Sequence, residues 1–347
     1  MMSKGNINYK YLRRRKSWFR RNLDLILIYG GISIVAIAVI LVILMKIFSF
    51  GFFSTGDKKV REDKNNKTEQ VTEAPREIVW HEDKEPESSQ VTYTPPADAR
   101  YPYYIRVNRA ANCVTVYGID SDGEYTIPVK AFACSCGRTG EETITGEGFA
   151  TSDKYQWRLM VDDTYGQYAN RIYDGYLFHS VPYLKTDKST LETEEYNKLG
   201  SFASLGCVRL CVRDVKWIYD NCPVNTRVTI YDDAQNPGPL GKPETIKIPL
   251  DSVNAGWDPT DPDENNPWKD YSAKIKGASD ITCKVGEDVN ILKGVTASDT
   301  CGNDITSKII TIGRYTFDQA GEYSITYKVT DAIGSTDSKT VKLIVIE

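Results

Sequence analysis

An apolar segment near the start of the chain is the feature that most restricts how this sequence can fold. Leu25 to Met45 comprises 21 residues without one charged side chain. At ~1.5 Å rise per residue, such a helix spans the ~30 Å hydrocarbon core of a bilayer. The segment exceeds the apolar core of a cleaved signal peptide, and a buried helix would normally carry a polar face. Residues 25–45 are therefore predicted to be an uncleaved transmembrane helix.

The charges around this segment predict its orientation. Residues 1–24 hold eight Lys and Arg side chains against one Asp, although the 347-residue chain has a net charge of -4. Because basic flanks stay in the cytoplasm, residues 1–24 are expected to be cytoplasmic and the residues after position 45 to lie outside the cell membrane. The acidic balance of those later residues argues against nucleic acid as a partner.

The composition changes three times after the apolar segment. Residues 46–98 are rich in Lys, Glu, Asp, Asn, Ser and Pro, so they are expected to form a flexible extracellular stalk that contains His81. Residues 99–233 alternate apolar and polar side chains, which predicts a mainly β domain. Residues 234–270, dense in Pro, Asp and Asn, are expected to be a linker. Residues 271–347 show short alternating strands and predict a small β-sandwich.

Within residues 99–233, the alternation predicts a β-meander that begins with Ile105 and Val107 and continues through Val114 and Val116. One helix is predicted from Asp214 to Asn221, where apolar residues recur at helical spacing before Pro223. A closing strand is predicted from Arg227 to Tyr231.

One cysteine and one histidine of the β domain could carry chemistry together. A thiolate is a nucleophile, and an imidazole can take its proton and return one to a leaving group. With two His in the chain and His81 in the expected stalk, His179 is the candidate base for Cys207. Gly206 would let the backbone approach a substrate, so that N–H groups around Cys207 could hold an oxyanion. Arg209 could bind a substrate carboxylate or pair with a local acid. A buried structural Cys and a structural His remain the alternative.

Residues 101–232 resemble the L,D-transpeptidase (YkuD-like) catalytic domain of bacterial cell walls. The resemblance rests on His179-Ser180, on Ser204-x-Gly206-Cys207-Val-Arg209, and on the helix and strand that follow. It implies a catalytic β-sandwich or barrel-like domain, with Cys207 as nucleophile and His179 as acid and base. It also implies that the carbonyl of Ser180 orients the imidazole, that the amides of Gly206 and Cys207 stabilise an oxyanion, and that Ser204 and Arg209 contact substrate.

The family resemblance implies an enzyme that needs no metal or organic cofactor and acts on peptidoglycan stem peptides, forming cross-links between their third residues through a Cys thioester. Hydrolysis by the same site, as an L,D-carboxypeptidase or endopeptidase, and an inert surface adhesin remain alternatives. The sequence departs from the family pattern at Leu205, where many members have His, at Thr143-Ile-Thr-Gly146, where the family has Thr-Pro-x-Gly, and at Asn225, where Gly is usual.

The C-terminal residues 271–347 resemble bacterial Ig-like domains of surface proteins, through Lys284 to Thr306 and Gly321 to Ser335. The partner of such a domain is not readable from this sequence. Of the eight cysteines, Cys283 and Cys301 are the expected disulfide pair, since both lie in one small exported domain.

Overall fold

The structure is a computed structural model that describes residues 78–85 and 93–347. The basic segment expected at residues 1–24 and the transmembrane helix expected at residues 25–45 lie outside the described residues. Among the residues described, no helix is both long enough and apolar enough to cross a membrane.

The described residues are mainly β, which confirms the mainly β part of the predicted fold class. The strands are β1 (His81–Asp83), β2 (Tyr103–Asn108), β3 (Cys113–Gly118), β4 (Ile127–Ala133), β5 (Gly146–Ala150), β6 (Lys154–Leu159), β7 (Tyr165–Tyr173), β8 (Tyr176–Ser180), β9 (Val208–Leu210), β10 (Arg227–Tyr231), β11 (Lys274–Lys276), β12 (Ile281–Lys284), β13 (Thr296–Ser298), β14 (Ile310–Tyr315), β15 (Gly321–Thr330) and β16 (Thr336–Ile346). The helices are α1 (Thr193–Tyr196) and α2 (Val212–Asn221), with 3₁₀ turns at Pro267–Asp270 and Thr306–Lys308.

Two sheets build the central domain. The first has the strand order β4-β3-β2-β10-β5, with β10 parallel to β2. The second has the order β6-β7-β8-β9, with β8 parallel to β9. The apolar side chains predicted to alternate along the meander are buried in the core: Ile105, Val107, Val114 and Val116.

Helix α2 confirms the predicted helix, although it begins two residues earlier, at Val212. Val215 and Ile218 on its apolar face are buried. The residue before the helix, Cys211, makes no side-chain cap. Instead, the Asp258 carboxylate accepts the Val212 N–H at 2.7 Å, which satisfies a free donor and places negative charge at the positive end of the helix.

The expected linker at residues 234–270 packs against the central domain. Ile246, Ile248 and Trp268 are buried within the same core cluster as the strands. The Asn197 amide bonds the backbone of Ile248 in both directions, at 2.8 Å each. Pro and Asp disfavour a β ladder but do not prevent burial of the apolar residues between them.

The C-terminal domain has a sheet of strand order β1-β14-β15-β16-β12 and a β11-β13 pair. Its predicted alternation is confirmed, since Ile325, Tyr327 and Val329 of β15 and Leu343 of β16 are buried in one cluster. Strand β12 pairs in parallel with β16.

Strand β1 shows that the expected flexible stalk is wrong for residues 78–85. These residues pair antiparallel with β14 of the C-terminal domain. The His81 ring stacks on Tyr315 with centroids 4.9 Å apart. Residues 93–98 are also described, and the Tyr93 hydroxyl bonds the carbonyls of Pro102 and Ile119 in the central domain. An exposed sheet edge supplies hydrogen-bond partners even to a polar sequence.

The expected Cys283–Cys301 disulfide is wrong. Both thiols are free. Cys283 on β12 is buried in the core of the C-terminal domain, whereas Cys301 belongs to the core cluster of the central domain. Cys301 lies in a turn that packs, with Ala332 and Ile333, against that cluster. A buried free thiol acts here as a small apolar side chain.

Candidate active site

A cavity of about 250 Å³ opens beside the β8–β9 pair. Leu177 and His179 come from β8, and Cys207 and Arg209 come from the segment that enters and forms β9. The other wall comes from the hairpin of β6 and β7, which we call the cavity hairpin. Its contributions are Arg158, Leu159, Met160, Val161, Asp162 and Arg171.

The parallel register of β8 and β9 explains why Cys207 and His179 share this cavity. His179 is paired with Arg209 in the ladder. Side chains two residues apart in a strand point to the same face, so Cys207 lies on the face that carries Arg209 and His179. The structure thus brings the predicted nucleophile and the predicted base together, across 28 residues of sequence.

His179 is 2% exposed, and burial lowers its pKa from 6.5 to about 3, with the nearby Arg209 charge as the second cause. The imidazole is therefore neutral at pH 7 and able to accept a proton. Its ring packs against Gly166, where an added Cβ would lie 2.7 Å from Nδ1. Glycine at position 166 is what leaves room for the ring.

The Ser180 backbone lies beside the imidazole. Nδ1 of His179 is buried without a hydrogen-bond partner, although the Ser180 backbone is close enough to raise the pKa of His179 against the larger effect of burial. The Ser180 hydroxyl accepts the Gln167 N–H at 2.8 Å and donates to the Val181 carbonyl. The Ser180 hydroxyl therefore fixes the neighbouring backbone, and orientation of the ring by the Ser180 carbonyl stays a prediction.

Cys207 is partly exposed, and its thiol donates weakly to the Gly175 carbonyl at 3.7 Å. Burial raises the pKa of this thiol above 9.0, while the Leu177 backbone and the Arg209 charge lower it. The resting pair is therefore a neutral thiol beside a neutral imidazole. Attack by sulfur then requires His179 to take the thiol proton as the new bond forms.

The loop before Cys207 is fixed by Ser204 and Gly206. Gly206 has φ +113°, a conformation that favours glycine, and an added Cβ would lie 3.1 Å from the Tyr176 ring. Ser204 is fully buried; its hydroxyl accepts the Gly206 N–H at 3.1 Å and donates to the Cys207 carbonyl at 2.6 Å. Ser204 therefore stabilises the loop and does not contact substrate. The Gly206 amide already donates a hydrogen bond to the Ser204 hydroxyl.

Arg209 pairs with a local acid, which is the second of the two roles expected for it from the sequence. Its Nη1 lies 2.7 Å from Glu195 Oε2, and its side chain is nearly buried while lining the cavity. Nε of Arg209 has no partner. Asn225, at another departure from the family pattern, has φ +71°, which Asn tolerates better than most residues.

Sequence reasoning missed Glu195 and the arginines of the cavity hairpin. The hairpin could have been found from the Asp162-Asp163-Thr164 turn between two alternating stretches. Its position over the cavity depends on the pairing of β7 with β8, which no local pattern encodes. Across residues 78–85 and 93–347, no cluster of three or more His, Cys, Asp or Glu could hold a metal ion.

Comparison with known proteins agrees with this division. Residues 102–230 match the family model described as the L,D-transpeptidase catalytic domain (YkuD), and residues 273–345 match the bacterial surface protein Ig-like domain. The chain therefore carries both domains, which confirms the two resemblances. A candidate L,D-transpeptidase of Bacillus subtilis, YciB, is 51% identical over 55 residues, which are 16% of this chain and 27% of the relative.

Two solved structures show weaker similarity. An L,D-transpeptidase from Mycobacterium smegmatis is 18% identical, with a TM-score of 0.31 over 38% of this chain and 58% of that chain. A fused Zn-dependent amidase/peptidase/peptidoglycan-binding protein from Clostridium acetobutylicum is 26% identical, with a TM-score of 0.29 over 40% of this chain and 55% of that chain. This chain thus spans about a quarter of the curated relative and a little over half of each structure.

Proposed function

We propose that this chain is a peptidoglycan L,D-transpeptidase that cross-links stem peptides through a thioester on Cys207. The single observation that supports it most is the placement of Cys207 and His179 on one face of the β8–β9 pair, in one cavity. A substrate of the family's kind is a stem tetrapeptide, cleaved between its third and fourth residues.

In the first half-reaction, His179 takes the proton of Cys207 while the sulfur bonds the carbonyl carbon of the third residue. The carbon–nitrogen bond to D-Ala then breaks, and His179 returns the proton to the leaving amine. The Cys207 amide is the backbone donor that we assign to the oxyanion, since the Gly206 amide is donated to Ser204.

In the second half-reaction, an amine on the third residue of a neighbouring stem attacks the thioester. His179 takes a proton from that amine and returns it to the departing sulfur, which restores the thiol. Water in place of the amine would give the carboxypeptidase or endopeptidase reaction at the same site.

The test is the substitution Cys207→Ala in the full chain, incubated with a tetrapeptide donor and an acceptor stem. We expect the wild-type protein to gain an acyl group and to form cross-linked dimer, and Cys207→Ala to do neither, because no other side chain in the cavity is a nucleophile of this strength. Intact-protein and product mass spectrometry measure both. The free energy of unfolding of Cys207→Ala should differ from that of the wild-type protein by about 0.5 kcal/mol or less, because position 207 is partly exposed.

Cys283→Ala is the matched control, because Cys283 is a free thiol in the other domain, and it should keep full acylation. An adduct that survives Cys207→Ala would refute the nucleophile. Trimmed monomer without dimer would identify a hydrolase, and no adduct on the wild-type protein would favour a non-catalytic surface adhesin.

We also propose that residues 25–45 anchor the enzyme in the cell membrane, with the catalytic domain outside. Support comes from the length and apolarity of the segment and from the basic residues before it. The full chain is expected to stay with membranes during alkaline carbonate extraction, and a chain that begins at residue 46 is expected to be released. Release of the full chain would contradict the anchor.

A further inference from the structure

The Arg209 side chain carries its charge beside both groups of the predicted proton transfer. Arg209 is paired with His179 in the β8–β9 ladder, and Cys207, His179 and Arg209 line the same cavity. Burial is the main cause that lowers the pKa of His179 and raises the pKa of Cys207, and the Arg209 charge is a further cause that lowers both. The position of this one guanidinium therefore affects the thiol and the imidazole together.

One carboxylate holds the Arg209 guanidinium in place. Nη1 of Arg209 donates to Glu195 Oε2 at 2.7 Å and to the Ala203 carbonyl at 3.4 Å. The Arg209 side chain is only 7% exposed, and a guanidinium keeps its charge in a protein interior. Among the residues that the structure describes, Glu195 is the one acid that forms an ion pair with Arg209. The other Glu195 oxygen pairs with Lys198 at 2.6 Å, which fixes the orientation of the carboxylate.

Glu195 itself lies outside the cavity lining and is held by contacts with the 234–270 segment. It belongs to α1, whose first residue, Thr193, donates its hydroxyl to the Ala255 carbonyl. The Asn197 amide, just after α1, bonds the backbone of the same segment in both directions. These contacts come from residues that follow the matched catalytic domain. The segment therefore fixes α1, and α1 carries the carboxylate that meets Arg209.

We propose that Glu195 is a positioning residue for the acylation step, which holds the Arg209 guanidinium on the cavity wall beside the Cys207 thiol. The inference rests on the proposed function for the step that it serves. Without the carboxylate, the guanidinium would be a buried charge without an ion-pair partner, which is strongly unfavourable, so it would turn toward solvent. The thiol would then lose a neighbouring positive charge that favours its ionisation.

A carboxylate that only neutralised Arg209 would have the opposite effect. Its removal would leave the guanidinium in place with a less compensated charge, and the Cys207 thiol would ionise more easily. The direction in which ionisation of the thiol changes therefore separates positioning from neutralisation.

Other charged and titratable groups also face the Cys207 thiol: Arg158, Asp162 and Arg171 from the cavity hairpin, and His179 from β8. Asp162 raises the pKa of the thiol and Arg171 lowers it, but both effects are smaller than those of burial, the Leu177 backbone and the Arg209 charge. A substitution at Glu195 leaves all of these side chains in the protein.

The experiment measures the rate of Cys207 alkylation by iodoacetamide against pH in the full chain, by intact-protein mass spectrometry. Seven of the eight cysteines are buried and Cys207 is not, so Cys207 should react first. Glu195→Gln should move the profile to higher pH by roughly one unit, the size of the effect of a neighbouring charge. Arg209→Gln should move it equally, and the double variant no further, since both substitutions remove the same contact.

Acylation by the tetrapeptide donor supplies the second measurement. Because Glu195 lies outside the cavity lining, Glu195→Gln should lower kcat roughly tenfold, the rate equivalent of one unit of pKa, and leave KM nearly unchanged. The matched control is Glu194→Gln, which removes the same charge from an exposed acid of α1 and should change neither measurement.

Glu195→Asp keeps the charge on a shorter side chain and should shift the alkylation profile in the same direction by less. Thermal unfolding shows whether each variant is folded. An unchanged profile for Glu195→Gln, or a shift to lower pH, would overturn the positioning role, and Glu195→Asp decides in the same way should Glu195→Gln fail to fold. Absence of acylation in the wild-type protein would overturn the proposed function, whereas the alkylation profile would still show whether Glu195 positions Arg209.

Discussion

The two β domains of this chain differ in how completely they satisfy their buried polar groups. In the part of the chain that the structure describes, the buried side-chain atoms without a hydrogen-bond partner belong to Arg106, Asn170, His179, Tyr183 and Arg209. All five residues lie in the catalytic domain. The Ig-like domain also buries polar side chains, among them Asp299, Thr316 and Asp331, yet none of its atoms is in that group.

In the Ig-like domain, buried acids build turns. Asp331 accepts the N–H groups of Thr300, Ile333 and Ser335 at 2.9 to 3.1 Å. Asp299 accepts those of Cys301 and Asn303 at 2.9 Å. Backbone donors satisfy each carboxylate, so these acids stabilise loops.

In the catalytic domain, two of the unpartnered atoms, His179 Nδ1 and Arg209 Nε, belong to residues that line the cavity. A buried donor or acceptor without a partner costs about 1–3 kcal/mol. That cost is tolerated here because the surrounding core, including the 234–270 segment, holds the strands in place. The difference teaches that a candidate site can include buried polar groups left unsatisfied, whereas the buried acids of the Ig-like domain are satisfied and stabilise its turns.

Among the substitutions that test this comparison between the domains, Asp331→Asn is expected to have the largest effect on stability. The carboxylate accepts four hydrogen bonds, three from backbone N–H groups and one from the Thr300 hydroxyl at 2.6 Å. In the variant, the amide nitrogen of asparagine would replace one carboxylate oxygen, and it cannot accept hydrogen bonds from these donors. We expect the free energy of unfolding to fall by about 3 kcal/mol, measured by chemical denaturation, while acylation of Cys207 by a donor peptide at low temperature is unchanged.

The control is Asp288→Asn, at an exposed acid of the same domain, which should change stability by about 0.5 kcal/mol or less. A loss of acylation in folded Asp331→Asn would mean that the Ig-like domain positions the active site, and the division between the domains drawn above would fail.

The sequence predicted well what local periodicity and motif spacing determine. The meander, helix α2 and strand β10 follow from alternation or helical spacing, and the presence of Cys207 and His179 in one cavity follows from the family resemblance. The sequence did not predict that the 234–270 segment is buried or that His81 pairs with β14. A polar composition makes burial of a segment less frequent but does not exclude it. Both depend on partners that are distant in the sequence.

The roles of individual site residues were predicted less well than their positions. Ser204 and Arg209 were placed at the site, yet the first braces the loop and the second pairs with Glu195. Which hydrogen bond a side chain makes depends on the geometry of its neighbours within a few tenths of an ångström. A motif gives the residue type and the order, but not that geometry.

The smallest expected effect concerns two buried titratable groups of the catalytic domain whose contributions oppose each other. The pKa of His179 is lowered from 6.5 to about 3, so its contribution to stability is present above pH 6.5 and lost as the pH falls toward 3. Burial raises the pKa of Asp258 from 3.8 to about 6, so its contribution is present below pH 3.8 and lost as the pH rises through 6. Between pH 4 and 6, the two slopes nearly cancel.

Asp258→Asn removes the Asp258 contribution to the pH dependence of stability. The variant should be less stable overall, since Asp258 caps α2, but its free energy of unfolding should rise more steeply with pH than that of the wild-type protein, by at most about 1.4 kcal/mol per pH unit between pH 4 and 6. Denaturation series across that range measure both slopes, with the exposed Asp251→Asn as a control from the same segment. Parallel pH profiles for Asp258→Asn and wild type would mean that Asp258 stays ionised in the core, and that the catalytic domain satisfies this acid as completely as the Ig-like domain satisfies Asp331.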